Sequence, residues 1–303
     1  MRKVALRPYA LLPAQYDHRR LLATTVDAWG RALWLIGPEA APDPGRYERF
    51  AARPRRHPYD ALLVSVDGAG GAVREQHLYG LGLRVSRLEA LPGGRLLLLG
   101  PGAPGQPDAQ VHGRGGRRRH GFEPGRCVEF AMADRRHHLW FAYGDEGVYG
   151  DPLSSDGLVL RDGGGNHRWG YSPPPGVQHI DTVYALNVED GTAWACSYPA
   201  FPLLEARTDG RTTLRRSPVR APRGLAVHGD EAVLLGGGSR GAAARADRLH
   251  RLRLTADEAV PVEEARLTFP NGAPLTRYAK PVGRGGRLYL HGPTARQWFV
   301  LEV

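Results

Sequence analysis

Two short segments carry the side chains best suited to chemistry. Asp145-Glu146-Gly-Val-Tyr149-Gly150 sets two adjacent carboxylates near a tyrosine, and Gln178-His179-Ile-Asp181 sets an imidazole two residues from a carboxylate. Neighbouring carboxylates can hold a cation or divide into an acid and a base. A His and an Asp at this spacing can pass a proton or ligate a metal. Asp145, Glu146, His179 and Asp181 are therefore the candidate catalytic residues. Each also has an ordinary structural use, because an acidic residue followed by glycine is common turn chemistry and a histidine often serves as a hydrogen-bonded structural group. A third segment, Ser197-Tyr198-Pro-Ala-Phe201-Pro202, presents two aromatics in a proline-stiffened loop, suited to an apolar or aromatic ligand or to packing on a neighbour. Tyr149, Tyr184, Tyr198 and Phe201 are the ligand-binding candidates, with Arg223 as a cationic contact. Glu129, Asp181 and Asn187, with Asp145, offer oxygen ligands for one metal ion. The cofactor stays unknown: these residues name none.

Two glycine motifs carry no such weight. Gly237-Gly-Ser-Arg-Gly241 matches G-x-S-x-G, but that motif needs a strand-to-helix elbow with acid and histidine partners downstream. Gly100-Pro-Gly-Ala-Pro-Gly105 matches G-x-G-x-x-G, but prolines fill it and no helix follows to receive a phosphate.

The elements that must position these residues repeat along the chain. An apolar strand, a tight polar turn and a second apolar strand recur at Leu22–Gly37, Val85–Gly100, Val128–Tyr143, Val183–Tyr198, Gly224–Gly237 and Ala279–Gly292. One hairpin recurring every 40–65 residues or so is the pattern of a β-propeller. The expected fold is all-β, a single six-bladed propeller over residues 1–303, with seven blades as the alternative. Each phrase supplies the inner two strands of a blade, and the segments between supply the outer two. These include Ala61–Val66 with Ala72–Leu78, Ala109–His112 with Arg118–Phe122, and Leu203–Arg207 with Thr212–Ser217. The sixth blade ends one strand short at Val303, and Val4–Tyr9 is the expected filler, pairing N-terminus into C-terminal blade and covering both edges. With strands lettered A to D outward, the A–B and C–D turns are short. The long connections, Gly37–Tyr59, Gly144–Ser155, Ser172–Ile180, Gly236–Ala246 and Thr268–Thr276, are all B–C or D–A, so they gather on one face as a binding site would require.

Composition bounds the partners. The formal charge is +10, but Lys3 and Lys280 are the sole lysines and the basic clusters Arg53–His57, Arg114–His120 and Arg215–Arg223 fall in separate blades with few aromatics between them. That pattern reads as solvated surface and not as a nucleic-acid groove, with polyanion binding through the scattered arginines at low salt as a third reading. No run of 18 apolar residues marks a membrane span, and the first residues lack the apolar core of a secretory signal. Cys127 and Cys196 fall in strands of different blades and read as small apolar groups. The expectation is a cytoplasmic monomer.

From Asp108 to Pro202 the chain resembles an uncharacterised, actinobacterial-type family of bacterial β-propellers. The likeness rests on Ala109–His112, Leu139–Gly150, Ser155–Val159, Asp181–Val188 and Trp194. It implies a soluble intracellular propeller and carries no assigned site. Two functions follow as expectations. One is a binding module that receives a small molecule or protein partner at the long-loop face. The other is a lyase or hydrolase at the channel mouth, in the manner of metal-dependent propeller lactonases, an analogy of fold alone.

Overall fold

The computed structural model describes residues 1–39, 58–68, 70–102, 105–238, 246–275 and 280–303. The cluster Arg53–His57, most of the Gly37–Tyr59 and Gly236–Ala246 connections, and parts of both glycine motifs lie outside them. The chain forms two compact units, one of Ala10–Pro124 and a larger one of Met1–Tyr9 with Gly125–Val303. Among the described residues no helix is long and apolar enough to cross a membrane.

The chain opens with β1 (Arg2–Ala5) and β2 (Arg7–Leu11), which join sheets built from the C-terminal end. The smaller unit then lays down two four-stranded antiparallel sheets. The first is β3 (Arg19–Val26), β4 (Arg31–Glu39), β5 (Tyr59–Asp67) and β6 (Val73–Leu81). The second is β7 (Arg87–Leu91), β8 (Arg95–Leu99), β9 (Ala109–His112) and β10 (Arg118–Phe122). Leu33, Leu63, Leu78, Leu88, Leu96 and Leu98 pack the two sheets together in one core. Each fully buried leucine contributes about 2 kcal/mol, so this contact, more than strand propensity, holds the pair.

The larger unit continues the pattern. Its first sheet is β11 (Val128–Ala133), β12 (His138–Tyr143), β13 (Leu158–Asp162) and β14 (His167–Gly170). The next is β15 (Thr182–Glu189), β16 (Thr192–Tyr198), β17 (Leu203–Arg207) and β18 (Thr212–Arg215). Then come β19 (Gly224–His228), β20 (Glu231–Leu235), β21 (Arg248–Leu254) and β22 (Ala259–Thr268), and last β23 (Val282–Arg284), β24 (Arg287–His291) and β25 (Gln297–Glu302). A single parallel bridge, Asn187 to Gly283, joins β15 to β23, so that two of these sets form one eight-stranded sheet.

The N-terminal segment departs from expectation. It does not run as one strand over Val4–Tyr9 but divides at Leu6. β1 extends the β22 edge in parallel, Arg2 to Ala265 through Ala5 to Thr268, and β2 lies beside β25. The reason is local. Leu6 is 2% exposed among Phe269, Leu275 and Phe299, and its N–H donates to the Thr268 carbonyl at 2.9 Å, so the chain must turn inward between the strands. Beyond it Arg7 pairs with Glu302, and the Tyr9 ring sits 4.8 Å from that of Tyr289.

One turn device recurs in both units. Asp27, Asp134 and Asp162 each end a strand, and one carboxylate oxygen accepts the backbone N–H two and four residues on: Trp29 and Arg31, Arg136 and His138, Gly164 and Asn166. The other oxygen takes the side chain at the fourth position, Arg31, His138 or Asn166. The carboxylates of Asp27 and Asp134 are fully buried by this closure.

Candidate functional site

The β12–β13 connection begins with a single helical turn, Asp145–Val148, where the sequence reads as an irregular loop. The Asp145 N–H donates to Thr182 Oγ1 at 3.0 Å, at the start of β15. That contact joins the acidic turn of one sheet to the inner strand of the next. Four residues along, the Tyr149 hydroxyl donates to the Asp181 carboxylate. This hydrogen bond, with the nearby charges of Asp181 and Asp145, holds the Tyr149 phenol above its ordinary value of 10.0.

Asp145, Glu146, Tyr149, Asp181, Thr182, Tyr184 and Tyr198 together line a cleft of about 420 Å³ within the larger unit. Six of these are residues singled out by type and spacing, drawn from both acidic segments and from the aromatic loop. Phe201 stands behind them. It is 5% exposed, with its ring 5.1 Å from Tyr184 and 5.8 Å from Tyr198, both edge-on, and it occupies φ +56°. Arg220 caps Phe201 from outside, its guanidinium 5.4 Å from the ring and donating to the Pro199 carbonyl at 3.2 Å. Phe201 thus positions two tyrosines and does not line the cleft. Arg220, from the basic cluster Arg215–Arg223, holds Phe201 in place and was not among the site candidates.

The remaining candidates go elsewhere. His179 is exposed, does not line the cleft, and its Nδ1 lies 3.2 Å from the Ile180 carbonyl. Arg223 belongs to the neighbourhood of Asp247 and His291, where burial lowers its affinity for the proton. Glu129 pairs with Lys280 at 2.9 Å. Asn187 is fully buried, and its amide donates to the Leu225 and Gly285 carbonyls at 3.1 and 2.8 Å while accepting the Gly285 N–H at 3.0 Å. It ties β15 to β19 and to the residue that follows β23. Among the described residues no three His, Cys, Asp or Glu side chains gather to hold a metal ion, and Glu129, Asp145 and Asp181 do not form the expected ring of ligands. Cys196 is fully buried with its thiol pushed up to about 12, while Cys127 is partly exposed; neither is in a disulfide.

No family model and no curated protein matches the chain by sequence. Solved structures do. Hsv2 of Kluyveromyces lactis superposes with a TM-score of 0.53 at 9% identity, over 94% of this chain and 74% of that one. A catalytically inactive virginiamycin B lyase from Staphylococcus aureus, solved with quinupristin, gives 0.49 at 13% identity, over 97% and 99%. A nidogen/laminin complex gives 0.46 at 10% identity, over 86% and 92%. The neighbours are β-propeller-like, and the likeness to Hsv2 establishes a propeller-like all-β fold built of repeated sheets; it says nothing of activity.

Proposed function

We propose that this chain is a propeller-type binding module whose ligand is a cation, an organic ammonium or guanidinium group on a small molecule or a partner's side chain. The observation that supports it is the convergence of Asp145, Glu146 and Asp181 with Tyr149, Tyr184 and Tyr198 around one cleft. Carboxylates supply charge, and tyrosine faces attract a cation by about 0.5–2 kcal/mol each as water is excluded. The scaffold that positions the cleft is read as six blades, two in the smaller unit and four in the larger, with β2 completing the last sheet beside β25.

Benzyltrimethylammonium, titrated against tyrosine fluorescence, tests the reading. Binding at least tenfold tighter than that of its neutral isostere, neopentylbenzene, is expected. Asp145→Asn and Tyr198→Leu should each weaken it severalfold while the melting temperature stays within about 2 °C, since these positions are exposed. Equal affinity for the neutral isostere would remove the basis of the proposal.

The Tyr149–Asp181 hydrogen bond supports a second reading, acid–base catalysis in the same cleft by a lyase or hydrolase. Asp145, Glu146 and Asp181 would share the acid and base roles, with His179 outside the lining. On this reading Tyr149→Phe leaves ligand affinity nearly intact and abolishes turnover. On the binding reading Tyr149→Phe keeps the aromatic face and changes affinity little, with no turnover to lose.

A further inference from the structure

A second cleft lies wholly within the smaller unit, and it has the opposite charge. It encloses about 460 Å³ where the two sheets of that unit meet at their hairpin turns. Each of the four turns contributes one arginine. Arg31 follows the β3–β4 turn, Arg74 the β5–β6 turn and Arg95 the β7–β8 turn, and Arg114 lies in the β9–β10 turn. The floor is apolar, made of Leu33, Leu63, Ala90, Leu91 and Leu96, all at most 5% exposed.

Three of the four arginines are anchored by contacts within the fold. Asp27, fully buried, grips the Arg31 guanidinium at 2.7 Å, and the Arg31 cation also lies 5.1 Å from the Trp29 ring. Asp67 holds Arg74 at 2.7 Å, and the Arg95 Nε donates to the Pro92 carbonyl at 3.2 Å. The fourth turn is strapped across to β6: Gln76 Nε2 donates to the Gly113 and Arg114 carbonyls at 3.1 and 3.2 Å, and Tyr79 N–H to the Gly116 carbonyl at 3.0 Å. Glu75, the single carboxylate of the lining, is turned to accept the Tyr16 hydroxyl. Arg114 is exposed and, among the described residues, has no carboxylate partner. Gly94, at φ +71°, supplies the left-handed turn conformation beside the Arg114 side chain.

We infer that this cleft binds an organic anion with an apolar body, the oxyanion end held among the guanidinium forks and the body against the leucines. Guanidinium groups match carboxylate and phosphate in plane and charge. Arg31, Arg74 and Arg95 are anchored in the walls, and Arg114 adds a cation with no carboxylate partner among the described residues. The apolar floor argues against an inorganic anion, which would leave it wet. The lining holds no aromatic side chain, which argues against a nucleic-acid strand, whose bases would need stacking partners.

Isothermal titration with 1-naphthyl phosphate and 1-naphthoate, with 1-naphthalenemethanol as the neutral analogue, tests this, and the two anions separate a phosphate from a carboxylate preference. At low salt at least one anion should bind tenfold or more tightly than the alcohol, and the difference should shrink as salt is raised. Arg114→Gln and Arg95→Gln should each weaken the anion about tenfold and leave the alcohol unchanged. Arg114 is exposed, so its variant is expected to keep the wild-type melting temperature, and the wild-type comparison of anion with alcohol needs no variant at all. Asp145→Asn in the other cleft should have no effect here. Equal binding of alcohol and anions, insensitivity to Arg114→Gln, or displacement of the naphthyl anions by a lower concentration of oligothymidylate would overturn the inference.

Discussion

At the scale of single residues, the buried amide of Asn187 and the exposed phenol of Tyr149 do different work. Asn187 makes three hydrogen bonds, one to Leu225 in β19 and two to Gly285 just after β23, and has no exposed surface. Asn187→Ala strands two carbonyls and an N–H away from water, at about 1–1.5 kcal/mol for each lost bond plus the desolvation of what is left. The expected loss is about 3–5 kcal/mol, read as a lowered urea midpoint with an unchanged slope. Tyr149 is 73% exposed, and its raised pKa comes first from the hydrogen bond to Asp181. Asp181→Asn removes the charge that disfavours the phenolate, so ultraviolet titration should show Tyr149 ionising nearer its ordinary value. An unchanged titration would mean that Asp181 does not hold the phenol in solution.

At the scale of elements, the aspartate-closed turn explains why three hairpins of different sequence share one shape. The carboxylate replaces backbone partners that the turn cannot supply, and the fourth residue completes it with a donor: Arg31, His138 or Asn166. Asp134 reaches further and accepts the Gly191 N–H at 2.9 Å, joining the β11–β12 turn to the β15–β16 turn. Asp134→Ala should therefore destabilise by about 3–5 kcal/mol, more than a turn aspartate ordinarily contributes. Asp162 gives a pH signature. Burial opposes its ionisation, but hydrogen bonds from Asn166, Gly164 and Arg168 outweigh that and lower it to about 2. Its folded value lies below the unfolded one, so its contribution is present above about pH 4 and is lost as pH falls toward 2. With the side chain 26% exposed, screening holds this to about 1 kcal/mol. Asp162→Asn should flatten the acid limb of the stability profile by that amount, measured by chemical denaturation between pH 2 and 6 or so.

At the scale of the whole molecule, the first eleven residues contribute to two sheets otherwise built from residues 182–302. β1 covers the β22 edge, β2 lies beside β25, and Leu6 fills the core between. Deleting residues 1–11 uncovers both edges and empties the Leu6 site. Calorimetry should show the melting temperature falling by several degrees or more, at about 2–4 °C for each kcal/mol lost. Leu6→Ala removes the core contact but keeps both strands, and about 2–4 kcal/mol is its expected share. If the truncated chain melts where the full chain does, the N-terminal strands do not secure these sheets.

Strand positions were legible because they are local. Alternating apolar residues between glycine-bearing turns place Ala109–His112, Arg118–Phe122 and Leu203–Arg207 at their observed bounds, since a strand's pairing within its own hairpin depends on neighbours a few residues away. The same local reasoning selected six of the seven residues that line the tyrosine–carboxylate cleft, because carboxylates and tyrosines stand out by type in short segments. What only the folded chain decided is which distant groups meet. Tyr149 reaches Asp181, Asn187 reaches Leu225 and Gly285, and four arginines from four turns surround one cleft. Such meetings follow from sheet twist and core packing between hairpins. No periodicity along the chain records a distance between residues that pack together across it.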